Sequence, residues 1–404
     1  MGRVHYREIE GRGGGFYALL GSLGALVLAG LGAAWIMEHH GHAVTGMSNR
    51  IVWGVPHVFA IFLIVSASGA LNVASIASVF GREVYRPLAR LSGLLALTLL
   101  AGGLAVLVLD LGRPDRLIVA MTHYNFKSIF AWNIFLYTGF FAIVALYLWT
   151  MFERRMNGYS KPAGLLAFLW RLVLTTGTGS IFGFLVARES YNSALLAPLF
   201  VVMSFSFGLA VFVLVLMAAC HWGGRTLGAA VLTRLGRLLG VFVAAVLYFV
   251  AVYHLTNLYI ARQHDLERFI LLDGGIYTLL FWVGQILIGG VVPLSLLFTP
   301  AAKGARGALA AAAAFVIAGG LAQLYVMIIG GQAYPQLMFP DKEVTSSFFD
   351  GVVAAYVPSL PEVALGVGGV ALALALTAVA LKLLPFLPQS LADADVDGVD
   401  SAAA

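Results

Sequence analysis

The sequence predicts an all-α integral membrane protein with about ten transmembrane helices, and three observations lead to that prediction. Of the 404 residues, 61% are hydrophobic and only 11% are charged, whereas soluble domains carry about 25% charged residues. Apolar runs of at least 18 residues, the length that indicates a spanning helix, recur along the sequence. The cations lie mainly in the short segments between these runs.

Each apolar run is long enough to cross about 30 Å of hydrocarbon, and the longer runs predict tilted helices. The first run exceeds the short apolar core of a secretory signal, so we interpret it as a helix; the alternative is a leader cleaved near Ala33. The ten predicted spans are 15–37, 51–80, 88–111, 126–151, 163–187, 194–221, 235–261, 270–299, 306–330 and 362–386.

Ten spans place both termini on one side of the membrane, which we call side A; the opposite side is side B. The side A segments hold 15 of the 24 lysines and arginines, side B holds eight, and Arg171 lies inside a span. The positive-inside rule then predicts that side A is cytoplasmic, with the protein in a bacterial inner membrane. No basic cluster is interleaved with exposed aromatics, so the net charge of +5 does not indicate nucleic-acid binding.

A weak internal repeat predicts two four-helix bundles. Residues 66–69 (SASG) in the second span match 204–208 (SFSFG) in the sixth, and Asp110 near the end of the third corresponds to the region of His254 in the seventh. The expected divisions are 1–50 (tail and peripheral first helix), 51–192 (first bundle), 193–331 (second bundle) and 332–404 (side B loop, tenth helix and acidic tail).

A comparatively polar segment of this apolar protein runs from residue 107 to residue 133. The third span closes on Asp110, and the fourth opens near Lys127, Trp132 and Asn133, all on side B. Trp132 is either an interface anchor or a wall against a bound ring, and Asn133 either joins helices or contacts a ligand. We predict that this hairpin forms one wall of a quinone site.

Ionisable residues inside a membrane are functional-site hypotheses by default. His57 lies near the side B end of the second span, where an imidazole can hydrogen-bond a quinone carbonyl and move its proton. The alternative for His57 is a bond to a backbone carbonyl. The helix dipole disfavours a carboxylate at a helix C-terminus, so Asp110 needs a partner. It either pairs locally with Arg113 or Arg116, or points inward to hold His57 and accept protons.

A second polar group crosses the first predicted bundle. Arg171 in the fifth span either snorkels to the headgroups or joins Ser66, Ser68 and Asn72 in a path for protons.

The single cysteine, Cys220, excludes a cysteine-ligated iron–sulfur cluster or structural zinc within this protein. Haem b would need two histidines at one depth, and the only rough pair, His57 and His254, falls in different predicted bundles. The protein is therefore expected to carry no haem or cluster, and a partner is expected to supply any iron–sulfur chemistry. The 331–361 loop either docks that partner or packs on its own helices.

Four stretches resemble the NrfD/PsrC family of quinone-reactive membrane subunits. They are residues 53–57 (WGVPH), 66–71 (SASGAL), 109–114 (LDLGRP) and 125–133 (NFKSIFAWN). The ten-span length resembles the longer branch, which includes the membrane subunits of alternative complex III, of the Dsr complex and of periplasmic hydrogenases.

The resemblance implies electron exchange between menaquinone or ubiquinone and a periplasmic ferredoxin-like iron–sulfur subunit. That subunit would relay electrons to a molybdopterin enzyme or a multihaem cytochrome c. Gly54 and Thr178 depart from the family pattern, since some members have polar or tyrosine side chains there. The candidate residues are His57 and Asp110 for catalysis; His57, Trp132, Asn133, Lys127 and Thr178 for quinone binding; and Ser66, Ser68, Asn72 and Arg171 for a proton path.

Two other classes of function stay open. A secondary transporter or ion channel fits a two-bundle repeat, although the polar groups cluster near one face and the midplane lacks an acid. A membrane anchor without a redox role is the other alternative.

Overall fold

The computed structural model describes residues 5–299, 305–335 and 351–393. Within these ranges, ten helices are long and apolar enough to cross a membrane, which confirms the predicted all-α membrane architecture. They are α1 (Gly14–His40), α2 (Val55–Ser78), α3 (Glu83–Leu109), α4 (Ile129–Phe152), α5 (Arg154–Gly183), α6 (Leu196–Trp222), α7 (Ala229–Tyr259), α8 (Ile276–Phe298), α9 (Arg306–Ala333) and α10 (Leu360–Leu383).

One short antiparallel strand pair, β1 (Tyr6–Arg7) with β2 (Leu387–Pro388), ties the N-terminal tail to the segment that follows α10. Because β1 precedes the first helix and β2 follows the last, the two segments that flank the helices meet on one side. An even number of spans also places the two flanking segments on one side of the membrane.

The helix bounds differ from the predicted spans by a few residues, for local reasons. α2 begins at Val55 because Pro56 occupies its first turn, where a missing N–H is tolerated. α8 begins at Ile276 rather than at residue 270, because Gly275 has a φ of +60° and interrupts the helix. Glycine adopts that left-handed conformation without the steric cost of a Cβ.

Helix α2 is the centre of the molecule. Its most apolar window is 89% buried, compared with 22% for α1. α2 packs against α3, α6 and α10, while α1 packs mainly against α10. Any group carried by α2 is therefore held by several helices at once.

The two stretches that suggested a repeat meet each other in space. A Cβ at Gly69 on α2 would strike the backbone of Ser204 on α6, and a Cβ at Gly208 would strike the backbone of Gly69. Equivalent residues meet in this way at a two-fold axis, and small residues let membrane helices approach closely. The contact supports the repeat, and the domain boundaries stay a prediction.

Two predicted features fall wholly or partly outside the described residues. Residues 336–350 of the 331–361 loop, including Asp341 and Phe348, lie there, and so does the acidic tail after Asp393. Asp393 itself is described: its carboxylate accepts hydrogen bonds from the backbone N–H groups of Ala229 (3.3 Å) and Ala230 (2.9 Å) at the start of α7.

Candidate functional site

His57 and Asp110 come together at the side B end of α2 and α3. These two helices pack directly on each other, so a residue early in α2 and one just after α3 lie at similar depth. His57 Nδ1 and Asp110 Oδ2 are 2.8 Å apart. Arg113 bonds Asp115 at 3.2 Å instead, so the local pairing proposed for Asp110 is not what the structure contains.

The His57–Asp110 contact has the distance of an ion pair without the orientation of a hydrogen bond. Within the described residues, His57 Nδ1 and both Asp110 carboxylate oxygens are buried and have no hydrogen-bond partner. The two side chains are therefore in contact, while Asp110 Oδ1 has no partner of its own within the described residues. Leaving buried polar groups unsatisfied costs about 1–3 kcal/mol each, so such an arrangement indicates a binding site.

Another histidine, His42, contacts the residue that follows α3. His42 Nε2 lies 3.0 Å from the backbone carbonyl oxygen of Asp110, and the nitrogen is the donor because a carbonyl only accepts. His42 lies just after α1, so the loop between α1 and α2 also covers this end of the site.

Aromatic rings surround His57, and the sequence reasoning missed most of them. The Trp53 ring stacks on His57 at 5.9 Å between centroids. Trp53 in turn contacts Phe130 (6.2 Å), Phe182 (5.6 Å) and Tyr191 (6.3 Å). Trp53 was visible in the WGVPH stretch, but Phe182 and Tyr191 flank the α5–α6 connection, where no pattern marks them.

Gln332 at the end of α9 holds the turn that precedes α2. Its Oε1 accepts from the backbone N–H groups of Val52 (2.9 Å) and Trp53 (3.1 Å). Its Nε2 donates to the carbonyls of Trp53 and Ile328, both at 2.9 Å. Arg188 donates to the Gln332 carbonyl at 3.1 Å. The ring beside His57 is therefore positioned by residues far away in the sequence.

The space beside Gly54 is filled by two polar groups. The Tyr356 hydroxyl accepts from the Val55 backbone N–H (2.7 Å) and donates to Glu362 Oε1 (2.6 Å). A Cβ at Gly54 would collide with both side chains, which explains why glycine stands here. Burial, and then the bond to Glu362, raise the pKa of Tyr356 above its ordinary value.

Asn133 and Thr178 lie together on the inner faces of α4 and α5. Asn133 Nδ2 donates to the Gly177 carbonyl at 3.1 Å, and its Oδ1 is buried without a hydrogen-bond partner among the described residues. Thr178 donates to the Leu174 carbonyl, and the Tyr137 hydroxyl lies 3.5 Å from it. A buried tyrosine hydroxyl thus reaches this region from α4 rather than from α5.

Trp132 and Lys127 lie on the outer surface. Trp132 is 47% exposed, and its indole N–H donates to the Phe126 carbonyl at 2.9 Å. Lys127 is exposed in the loop before α4. The structure does not bring either side chain into contact with His57.

Arg171 is fully buried, with 0% exposure, so the snorkelling alternative is wrong. Its Nη2 donates to Asn72 Oδ1 at 2.9 Å and its Nη1 to the Ser68 carbonyl at 3.4 Å. Ser68 also contacts Thr175, with 2.6 Å between the hydroxyl oxygens. The Ser66 hydroxyl is buried nearby on α2 and has no hydrogen-bond partner in the described ranges. An amide oxygen and a carbonyl oxygen thus accept from the Arg171 cation, which also lies over the rings of Phe168 (5.1 Å) and Phe205 (4.8 Å).

A second histidine–carboxylate pair lies on side B of the other half. His254 Nδ1 and Glu267 Oε2 are 2.7 Å apart and hydrogen-bonded, and Asn257 Nδ2 donates to Glu267 Oε1 at 2.8 Å. Glu267 follows α7 in the short helix His264–Arg268. The sequence reasoning noted His254 but missed Glu267, whose signal is an acid just before the apolar residues that precede α8.

The family model described as "Polysulphide reductase, NrfD" matches residues 43–336. That range is more than half of the protein and includes His57, Asp110 and Gln332. The chain belongs to the NrfD family. The resemblance seen in the four sequence stretches is thereby confirmed.

Several known proteins are similar over most of this NrfD-family protein. It is 28% identical to the Hdr-like menaquinol oxidoreductase integral membrane subunit of Archaeoglobus fulgidus, over 96% of this protein and 97% of the relative. It is 23% identical to a subunit of the selenate reductase of Mesobacillus selenatarsenatis, over 90% and 92%. It is 25% identical to a chain of the polysulfide reductase of Wolinella succinogenes, over 71% and 96%. These relatives are subunits of oxidoreductase complexes, and this protein is a multi-pass membrane protein related to them.

Proposed function

We propose that this protein is the quinone-reacting membrane subunit of an oxidoreductase complex, with the reactive site at His57 and Asp110. One observation carries the proposal. Three buried polar atoms of these two side chains lie within one small region and have no hydrogen-bond partner in the described protein. A quinol hydroxyl supplies both a donor and an acceptor to such a region, and a quinone carbonyl supplies an acceptor.

The two side chains suit proton exchange with a quinol. Oxidation of a quinol releases a pair of protons and a pair of electrons, and each proton needs an acceptor. His57 hydrogen-bonds one oxygen of the headgroup, and its imidazole can accept a proton from it. Asp110, 2.8 Å away, takes a proton or stabilises the imidazolium that forms. The electrons pass to a partner subunit, because a single cysteine cannot anchor an iron–sulfur cluster in this protein.

The neighbouring groups define how the ring is held. Trp53, stacked at 5.9 Å from His57, gives an apolar face for a planar headgroup. The unpaired Asn133 Oδ1 accepts a bond from a hydroxyl on the same side of the membrane, beside Thr178 on α5. Trp132 and Lys127, on the outer surface, then lie where a quinone enters laterally from the lipid.

The side B surface supports docking of an electron-accepting partner. Ile118, Val119 and Phe126 lie in the loop between α3 and α4 and are each more than half exposed. Exposed apolar groups of this kind mark interaction sites. We propose that a ferredoxin-like iron–sulfur subunit lies over them and relays electrons to a molybdopterin or multihaem cytochrome c subunit. A crosslink from Ile118→Cys to that subunit is expected, and no crosslink from Leu28→Cys on the lipid-facing side of α1.

The distribution of cations supports the orientation in which side A and both termini face the cytoplasm, with the protein in a bacterial inner membrane. The name of the Archaeoglobus relative supports menaquinone over ubiquinone as the substrate. Accessibility of cysteines placed in the side A and side B loops to an impermeant reagent tests the orientation, and turnover with each quinol tests the substrate.

We also propose that Ser66, Ser68, Asn72 and Arg171 form part of a proton path towards side A. The distance along α2 from His57 to Asn72 is about 22 Å at 1.5 Å per residue, so the cluster bridges the middle of the membrane. Acidification or alkalinisation of proteoliposomes during turnover measures this transport. Loss of that signal in Asn72→Leu, with quinol turnover retained, is the expected result.

The direct test of the redox role compares two histidine variants of the assembled complex. His57→Ala is expected to lower quinol oxidation about 100-fold or more, because it removes a proton-transfer partner. His254→Ala, which removes a histidine of similar exposure from the other half, is the matched control and is expected to keep turnover within about twofold. Unchanged turnover in an assembled His57→Ala complex would reject the site and favour a membrane anchor without a redox role.

A further inference from the structure

A large cavity opens on side A and extends past the middle of the membrane, as far as the first turns of α2 near His57. Its volume is about 1530 Å³, and it lies between α1, α2, α6, α9 and α10. It extends from the N-terminal tail and Arg225 at its mouth to Phe59 and Phe62 on α2. Pockets for small ligands usually measure about 300–1,000 Å³, so this cavity suits a larger occupant.

The body of the cavity is apolar. Its walls include Leu19 and Leu23 of α1, Leu214 and Val215 of α6, and Leu374 of α10. The Thr377 hydroxyl also lies in the wall, but it already donates to the Ala373 carbonyl at 2.8 Å. The lining inside the membrane therefore presents surface for hydrocarbon rather than hydrogen bonds for a polar ring.

Hydrogen bonds from Arg225 hold the mouth of the cavity in place. Arg225 Nη1 donates to the carbonyls of Leu387 and Pro388, both at 2.8 Å. Its Nη2 donates to the carbonyls of Arg7 (2.8 Å) and Glu8 (3.0 Å). These bonds, together with the β1–β2 pair, hold the N-terminal tail across the opening.

The charge at the mouth favours an anion. Arg225 is bonded to neutral carbonyls rather than to a carboxylate, although burial lowers its pKa. Arg7 is paired with Glu10 at 3.8 Å. Arg12 is exposed, and the described residues contain no ion-pair partner for it. The lining thus contributes three arginines against the two glutamates, Glu8 and Glu10.

We propose that this cavity binds a glycerophospholipid from the side A leaflet, with its phosphate at Arg12, near the positive charge of Arg225, and its acyl chains between α1, α6 and α10. A molecule with one anionic end and long apolar chains matches a pocket that is charged only at its mouth. Basic pockets between membrane helices bind lipid headgroups in this way. The bound lipid fills the space between the α1–α10 pair and the rest of the helices, and it stabilises their packing.

A quinone fits this cavity less well. Its headgroup needs a hydrogen-bond partner at the depth where it stops, and the apolar walls supply none beyond Thr377. His57 and Asp110 do not line the cavity. The phospholipid site is therefore independent of the redox function proposed above.

The test measures bound lipid on the full-length protein by native mass spectrometry, after exchange into excess detergent and titration with phosphatidylglycerol. The unaltered protein is expected to retain a single phospholipid. Leu214→Trp places a larger side chain in the cavity. The affinity for the retained phospholipid is expected to fall about tenfold or more. Leu28→Trp adds the same ring on a surface that is 70% exposed and is expected to change nothing.

A second variant covers the case in which Leu214→Trp does not fold. Arg12→Glu replaces an exposed cation at the mouth with an anion and is expected to weaken phosphatidylglycerol binding about tenfold, since it repels the anionic headgroup. Unchanged retention in a folded Leu214→Trp protein would overturn the proposal, and so would unchanged affinity in Arg12→Glu. Retention of quinone instead of phospholipid, or of no lipid at all by the unaltered protein, would also overturn it.

Discussion

The two halves of this molecule each place a histidine beside a carboxylate on side B, and the two pairs differ in one respect. The side chains of His57 and Asp110 are 17% and 1% exposed, and those of His254 and Glu267 are 16% and 1% exposed. The distances, 2.8 Å and 2.7 Å, are also alike. Only the second pair is hydrogen-bonded, and Asn257 completes it with a further bond to Glu267.

The difference teaches that composition and burial do not distinguish the two pairs, whereas the hydrogen bonds around each carboxylate do. Glu267 has a protein donor on each oxygen, so it ties the loop after α7 to that helix and leaves nothing for a ligand. Both oxygens of Asp110 lack a hydrogen bond within the described protein, and that arrangement costs stability unless something binds there. We therefore propose that His57 and Asp110 take part in quinol oxidation, and that His254 and Glu267 stabilise the fold.

The largest expected effect separates function from stability at Asp110. Asp110→Asn keeps the shape of the side chain but does not accept a proton in the same way, so quinol oxidation should fall about 10²–10⁴-fold. The midpoint of thermal unfolding should change little, because the carboxylate makes no hydrogen bond to the described residues that the variant would lose. Steady-state turnover and thermal unfolding of the same preparation measure both. An Asp110→Asn protein with a lowered unfolding midpoint and normal quinol turnover would show instead that Asp110 has a structural role.

The opposite pattern is expected at the second pair. Glu267→Ala leaves His254 and Asn257 without their acceptor and should lower the free energy of unfolding by about 2–3 kcal/mol. Quinol turnover, measured where the variant is folded, should stay within about twofold. Glu267→Gln keeps an acceptor for Asn257 and should cost less. A fall in turnover comparable with that of Asp110→Asn would show that the second half also takes part in the reaction.

A smaller effect is expected from Gln332, which acts through the turn before α2. Gln332→Ala removes four hydrogen bonds around Val52, Trp53 and Ile328. Trp53 and His57 then lose their fixed position, and kcat/KM for quinol should fall about tenfold, mainly through KM, since small misplacements lower rates steeply. Gln332→Glu keeps the acceptor half and should recover part of the loss. Equal KM values in the three proteins would remove Gln332 from this role.

The smallest expected effect is the pH dependence set by Tyr356. Its pKa is raised in the folded protein, so its contribution to stability is complete below about pH 10, the unfolded value, and is lost as the pH rises through the folded value. Tyr356→Phe loses the bonds to Glu362 and Val55, which should cost about 1–2 kcal/mol near neutral pH. The variant should also lose less stability than the parent in alkaline buffer. Identical alkaline profiles would contradict the assignment.

The sequence was sufficient for the helices and for the location of the first pair. Apolar run lengths predicted ten spans because each helix must satisfy its own backbone in lipid. His57 and Asp110 could be placed near each other because α2 and α3 are consecutive, antiparallel and joined by a short turn. Whether Asp110 paired with Arg113 or pointed inward depended on side-chain geometry, which no spacing reports.

The remaining parts of the site come from contacts that no periodic pattern encodes. Gln332 and Tyr356 reach the turn before α2 from 280 and 301 residues further along the sequence. Arg171 could be assigned either to the headgroups or to the interior, because long side chains adopt both positions. Glu267 was missed because it lies between two predicted spans, where an acidic side chain is ordinarily solvated.

The most direct test of the central claim is photoaffinity labelling of the intact complex with an azidoquinone, followed by peptide mapping. The account predicts that the label attaches to residues 53–57 and to the segment around Asp110, and that His57→Ala lowers this labelling. It also predicts only background labelling of the segment that contains His254 and Glu267. Label concentrated on that second segment, and unchanged by His57→Ala, would contradict the assignment of quinone chemistry to the first pair.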